Sequence, residues 1–236
     1  MNLILLNSND HWIDAQRVRL SDRRAEHIRK VLRSQQGDTL RLGMLGGQRG
    51  TGRIEAIDAQ AVLITVQLVD PPPARHRFDL VLALPRPKML RRILRTVAEF
   101  GVGSLHLVQT ARVDKSYWQS PLLADAKVDE ALRMGLERSR DTIIPQVHRH
   151  RLFRPFIEDR LPAICQGRPC WIAHQDADVG LSAVAGQPAV VMIGPEGGFV
   201  PFELTLAEQM GAQKVHLGGR ILSVDTAVTT VLAQTL

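Results

Sequence analysis

Two stretches near the C-terminus carry the residue types best suited to enclosing a ligand. The first is the apolar run Val190-Val191-Met192-Ile193, which enters Gly194-Pro195-Glu196-Gly197-Gly198-Phe199 and then a helix opened by Pro201. The second is Val215-His216-Leu217, followed by Gly218-Gly219-Arg220-Ile221-Leu222-Ser223-Val224-Asp225-Thr226-Ala227. In open α/β sheets, ligands bind in the crevice beyond the carboxyl ends of the strands. Glycine there lets the backbone turn sharply and approach a bound molecule closely. One such loop alone reads better as a tight strand-to-helix turn. Two of them, after neighbouring strands, can form opposite walls of one pocket. Neither is a dinucleotide fingerprint: the nearest match, Gly101-Val102-Gly103, follows a helix rather than a strand. The absence of Gly-x-x-x-x-Gly-Lys-Ser/Thr excludes an ordinary P-loop nucleotidase.

The other chemistry-bearing side chains form no such constellation. His148 and His150 alternate on a possible strand and His216 precedes the second loop, but no carboxylate or cysteine spacing completes a metal-binding set. They read as packed or surface histidines, and no metal is expected. Cys165 and Cys170 match no zinc spacing and fit a reducing compartment. Tyr117-Trp118 lies in a polar loop, where it either packs against a partner subunit or touches a base.

The elements that must position these loops form two blocks. Residues 1–70 read as a small, mostly β unit with one helix, Ser21–Arg33, which places Ala25, Ile28 and Leu32 on one face with Ser21 or Asp22 as its cap. Strands are expected over 38–42, 53–57 and 61–69, with a hairpin in the glycine-rich stretch 43–52, and Val62, Ile64, Val66 and Leu68 alternate as in a half-buried strand. Asp70-Pro71-Pro72-Pro73 then breaks the chain as a stiff linker. From residue 75 to 236 the rhythm is of alternating apolar strands (78–84, 104–109, 170–173, 189–193, 214–217) and helices (88–100, 124–138, 201–210, 225 onwards). That pattern implies a largely parallel sheet covered on both faces.

Composition indicates a partner. Of 236 residues, 30 are Lys or Arg and 24 Asp or Glu, leaving a net charge of +6. A basic balance suits a polyanion, because Lys and Arg release counterions from phosphate backbones. The charge is also clustered. Met89, Leu90, Ile93, Leu94 and Val97 form the apolar face of the 88–100 helix, and Lys88, Arg91, Arg92 and Arg95 the opposite one. Arg23, Arg24, Arg29, Lys30 and Arg33 repeat the bias in the first block, and Arg75 and Arg77 continue it after the linker. The expected RNA contacts are Arg23, Arg24, Arg29, Lys30, Arg33, Lys88, Arg91 and Arg92. Aromatic residues make up 4% of the chain, too few for a multi-base stacking platform. No basic leader or membrane-length apolar run occurs, so a cytoplasmic location without membrane attachment is expected.

The two loops resemble the paired signatures of the RsmE family, SPOUT-class enzymes that methylate N3 of a uridine in small-subunit (16S) ribosomal RNA. Weaker stretches agree in order along nearly the whole chain. Glu26-His27-Ile28-Arg29-Lys30-Val31-Leu32-Arg33 with Gly37-Asp38 is similar to the family's PUA-like RNA-binding domain. Ala98-Glu99-Phe100-Gly101-Val102, and Glu137-Arg138-Ser139-Arg140 with Pro145, resemble helix ends of its catalytic domain. The resemblance implies an α/β fold, a SPOUT-type sheet with a C-terminal trefoil knot, preceded by a small PUA-like β-barrel. It implies S-adenosylmethionine as cofactor, held by Ile193, Gly194, Glu196, Gly197 and Gly198 on one side and Leu217, Gly218, Ile221, Leu222 and Ala227 on the other. It also implies a homodimer and 16S rRNA or the small ribosomal subunit as partner.

The chain departs from the family at Ser223-Val224-Asp225, where a basic residue, a Thr and a Glu are usual. Methyl transfer from a sulfonium requires mainly positioning, whereas uridine N3 must lose a proton. Arg220 is expected to steady the resulting anion, with Glu196 or Asp225 orienting the base. A structural salt bridge from Arg220 to one of those carboxylates is the equal alternative. The altered segment also leaves open a weak or inactive RNA-binding paralogue, and the same chemistry on another RNA such as tRNA stays possible.

Overall fold

The computed structural model describes residues 2–235. The chain divides into two compact units, 1–74 with 133–144, and 75–132 with 145–236.

In the first unit, strands β1 (Ile4–Leu6), β2 (His11–Trp12), β3 (Arg17–Leu20), β4 (Thr39–Met44), β5 (Arg49–Ile57) and β6 (Val62–Asp70) form one sheet in the order β1-β4-β5-β6-β3-β2. Only the β1–β4 pair is parallel. The hairpin expected in the glycine-rich stretch joins β4 to β5. Gly50 suits its position because a Cβ there would stand 2.9 Å from the Leu68 Cα on β6. Val62, Ile64 and Val66 point inward with Leu20, Leu42 and Ile54. Helix α1 (Arg23–Lys30) is capped by Asp22, which accepts from the Arg24 N–H, and it buries Ala25 and Ile28. It stops three residues earlier than the apolar spacing implies: Leu32 is 42% exposed and Arg33 is left-handed at φ 53°.

The segment 133–144 joins this unit through specific bonds. The Glu137 carbonyl accepts from the Asn2 and Leu3 N–H groups (2.9 and 3.0 Å), and the Thr142 hydroxyl donates to the Gly47 carbonyl (2.6 Å). Reading the linear sequence gives no hint of this excursion.

The second unit is built on a six-stranded parallel sheet. Its strands are β7 (Phe78–Ala83), β8 (Ser104–Val108), β9 (Gln146–His150), β10 (Cys170–Ala173), β11 (Ala189–Ile193) and β12 (Ala212–Val215), in the order β12-β10-β11-β7-β8-β9. The central strands β7 and β11 are buried almost throughout, which explains their continuous apolar runs. The edge strands β9 and β12 are polar. Helix α2 (Pro87–Glu99) buries Leu90, Ile93, Leu94, Val97 and Ala98. It is followed by α3 (Asp125–Ser139), whose residues from 133 on belong to the first unit, and by α4 (Pro201–Gln209) and α5 (Val224–Ala233). A helical stretch from Phe153 to Cys165, with a π turn at Phe156–Arg160, escaped the sequence reading.

Candidate active site

Strand order decides what surrounds the two glycine loops. β11 and β12 are not neighbours, contrary to the sequence reading, because β10 lies between them. The residues after β10 therefore form a third wall. The three strand ends enclose a cavity of about 350 Å³ lined by both glycine loops, by His174, Gln175 and Asp176, and by Arg112 from the loop after β8. Ile193, Gly194, Glu196, Gly197, Gly198, Leu217, Gly218, Ile221, Leu222 and Ala227, the residues expected around a cofactor, all line it. Arg220 lines it as well, but Asp225 does not.

The first loop is a tight turn: the Gly198 N–H donates to the Pro195 carbonyl at 2.8 Å. Gly198 has φ 72°, a conformation disfavoured for side chains with a Cβ. A Cβ on Gly194 would press the Phe199 ring at 3.2 Å. Phe199 is itself buried, so the turn closes over a hydrophobic plug. Ile221, by contrast, stands 84% exposed at the cavity edge.

Carboxylates and guanidiniums around the cavity are paired selectively. Glu196 lies 3.5 Å from Arg86, and Asp225 lies 3.2 Å from Arg92. The Ser223 hydroxyl also donates to Asp225 at 2.6 Å, and this bond, with Arg92, holds the Asp225 carboxyl below its ordinary range. Arg220 is exposed and, among the described residues, lies outside every ion pair. The salt-bridge reading of Arg220 is thereby overturned: both carboxylates proposed for it are taken by other arginines.

The basic residues separate into distinct groups. Arg24 is 8% exposed, with its guanidinium forked onto Asp10 and Asp22 and donating to the Leu5 carbonyl at 2.7 Å. It is a buried structural arginine with no donor left for RNA, which corrects the expectation for it. Arg23 binds Glu137 at 2.6 Å, Lys30 binds Glu26 at 2.7 Å, and Arg29 reaches the carbonyls of Ala25 and Ala59. Lys88, Arg91 and Arg92 are exposed on α2, with Arg91 3.6 Å from Glu130.

Trp118 is 8% exposed, donates its indole N–H to Gln109 at 2.6 Å and packs under Arg151. These contacts pack Trp118 within its own chain. His106 stacks on His148 with ring centroids 4.6 Å apart and touches His150 through ring nitrogens at 3.1 Å. Burial, then the two neighbouring imidazoles, push the His106 pKa down to about 4. Among the described residues no group of His, Cys, Asp or Glu could hold a metal ion, and no helix is long and apolar enough to cross a membrane.

The profile of an RNA methyltransferase domain matches residues 72–236, and that of an RNA methyltransferase PUA domain matches residues 20–67. The ribosomal RNA small subunit methyltransferase E of Treponema pallidum is 29% identical over 246 residues, covering 100% of this chain and 91% of that protein. The ribosomal RNA small subunit methyltransferase E 1 of Borreliella burgdorferi is 23% identical, covering 96% of this chain and 94% of that one. The fold is shared with the crystal structure of a ribosomal RNA small subunit methyltransferase E from Neisseria gonorrhoeae bound to S-adenosyl methionine, at TM-score 0.77 and 22% identity over 99% of this chain and 95% of that one. It is shared also with a methyltransferase from Legionella pneumophila in complex with the same cofactor, at TM-score 0.75 and 22% identity over 98% of this chain and 95% of the other.

Proposed function

The chain belongs to the RNA methyltransferase family, and we propose that it transfers a methyl group from S-adenosylmethionine to N3 of a uridine in 16S ribosomal RNA. The observation that carries this reading is the open cavity lined by three loops at the carboxyl ends of β10, β11 and β12 and by Arg112 from the loop after β8. Its chemistry fits the donor: apolar Ile193, Phe199, Leu222 and Ala227 beside backbone bared by Gly198 and Gly218, about 350 Å³ in volume. The names of the full-length relatives support the RNA class.

The donor supplies a methyl already activated on a sulfonium, so the protein's work is positioning and charge control. Ile193, Gly194, Gly197, Gly198, Leu217, Gly218, Ile221, Leu222 and Ala227 hold the donor. Arg220, with no carboxylate bound among the described residues, steadies the negative charge that appears on the uracil as N3 loses its proton. Glu196, on the cavity wall, orients the base. Asp225 acts at one remove, through Arg92 and the start of α5. Arg92 restores beside Asp225 the positive charge that the family's basic residue would have carried at position 223, which favours an active enzyme over an inert paralogue.

The exposed cations Lys88, Arg91 and Arg92 of the second unit contact RNA, as do exposed Arg23, Lys30 and Arg33 and half-buried Arg29 of the first. Residues 1–70, with the 133–144 segment that belongs to the same unit, act as the RNA-binding domain, and the rest of 75–236 as the catalytic one. The return of α5 from the edge strand β12 to pack against α2 and β11 supports a C-terminal knot. A cytoplasmic homodimer completes the proposal. Calorimetric titration with S-adenosylmethionine, followed by mass mapping of 16S rRNA methylated in vitro, tests it. Failure to bind the donor, or methylation confined to another RNA, would overturn it.

A further inference from the structure

No sequence motif singles out Arg112, yet it forms part of the cavity wall. Its loop is braced from within. The Gln109 side chain donates to the carbonyls of Thr110 and Val113 at 2.7 and 2.8 Å and accepts from the Trp118 indole at 2.6 Å. The loop is also tied to α4 by Glu203, a carboxylate only 3% exposed. One Glu203 oxygen accepts from the Ala111 N–H at 2.7 Å, and the other from the Val200 N–H at 3.0 Å. The same side chain thus grips the Arg112 loop and the exit of the glycine turn. Arg112, next to Ala111, donates its guanidinium N–H to the Gly197 carbonyl. Its stem covers Gly197 closely enough that a Cβ there would lie 3.0 Å from the Arg112 Cδ.

We propose that Arg112 is a positioning residue for the methyl donor, set in place by Glu203. Consecutive glycines have the largest conformational freedom in the chain, and ordering them at the moment of binding weakens affinity. Arg112 fixes the Gly197–Gly198 peptide beforehand, so the turn meets the donor already formed. Glu203 acts only through this chain of contacts, since its carboxylate is buried behind the turn and does not line the cavity. The inference rests on reading the cavity as the donor site.

The test is calorimetry with S-adenosylmethionine on the wild type, Arg112→Ala, Arg112→Lys, Glu203→Gln and the Arg112→Ala/Glu203→Gln double variant, alongside RNA binding at several salt concentrations. Loss of one hydrogen bond to a charged group predicts a donor Kd raised about tenfold in Arg112→Ala. Arg112→Lys recovers part of this, because an ammonium can still reach a carbonyl. In kinetics the defect falls on the donor KM rather than on kcat, and RNA affinity keeps its salt slope. Glu203→Gln, with Glu203→Asp as a substitute should it fold poorly, weakens donor binding in the wild-type background but adds less than about twofold when Arg112 is absent, as coupled residues do. Unchanged donor affinity in Arg112→Ala overturns the proposal. So does a loss confined to RNA binding, which would make Arg112 an RNA contact. Additive losses in the double variant overturn the role of Glu203. A wild-type protein that binds no donor instead refutes the reading of the cavity itself.

Discussion

Replacing Arg220 with alanine separates anion stabilisation from every structural role the residue could have. Arg220 is exposed and, among the described residues, outside every ion pair, so its truncation should change folding stability by no more than about 0.5 kcal/mol. Removing one preorganised donor at a developing anion typically costs about 2.7–4 kcal/mol in the transition state. The exposure of Arg220 places it at the lower end, a rate reduced about a hundredfold. The loss should also depend on pH. A cation beside the uracil lowers the pKa of N3 in the complex, so its removal raises that pKa by about two units for about 2.7 kcal/mol. Below the wild-type pKa both rates rise tenfold per unit and the defect is constant. Above it the wild type levels off while the variant continues to rise, and the defect shrinks. Single-turnover transfer of labelled methyl to small ribosomal subunits, with enzyme and donor saturating, measures this directly. Full turnover with normal donor and RNA binding would refute the assignment. A defect that persists undiminished at high pH would show that Arg220 acts on something other than the N3 proton.

Gly198→Ala forces a Cβ into a left-handed conformation at φ 72°, which costs about 1–2 kcal/mol; calorimetry should show donor binding weakened about tenfold, and an unchanged Kd would mean that the turn relaxes freely. Lys88→Glu and Arg91→Glu, both away from the cavity lining, should each weaken RNA binding and reduce the slope of log affinity against log salt by about one; an unaltered slope would remove α2 from the RNA surface. His106 has a folded pKa of about 4 against an ordinary 6.5, so the unfolded chain takes up the proton first and stability falls as pH drops through that window. Between pH 7 and pH 5 the wild type should therefore lose about 2 kcal/mol more than His106→Phe, measured by urea unfolding, and parallel losses would contradict it.

The glycine turns were legible because their function rests on backbone approach, which forces a residue type. The buried strands β7 and β11 were legible because a strand covered on both faces has no polar positions. What escaped is what depends on neighbours in space. β9, Gln-Val-His-Arg-His, shows the alternation of His148 and His150 in its sequence, but not that both rings gather against His106 on β8. The helical stretch 153–165 contains Pro155 and Pro162 and bends through a π turn, so it lacks a regular apolar period. Arg23 and Arg24 are the same residue type side by side, and only helix phase sends one onto Asp10 inside the unit and the other to its surface. The third cavity wall, His174–Asp176, and Arg112 could not be read at all, since nothing in the chain order places β10 between β11 and β12.

Charge pairing around the cavity gives the catalytic reading its physical basis. A uracil with a bare N3 anion is favoured where positive charge is available and carboxylates are neutralised. Glu196 on the wall and Asp225 behind it would each oppose that anion, and each is matched by an arginine from α2 or just before it, while Asp176 on the third wall is turned to solvent. Arg220, exposed at the cavity wall, is in no ion pair among the described residues, while buried Ile193, Phe199, Val224 and Ala227 line the interior. Cations at the edge and apolar side chains within suit a cationic donor held inside and an anionic nucleophile arriving from solvent. Reversing one pairing arginine, as in Arg86→Glu, would free Glu196 and add a second negative charge beside it. Such a change should depress methyl transfer well beyond its effect on donor binding, whereas equal losses in both would mean that this pairing serves the fold alone.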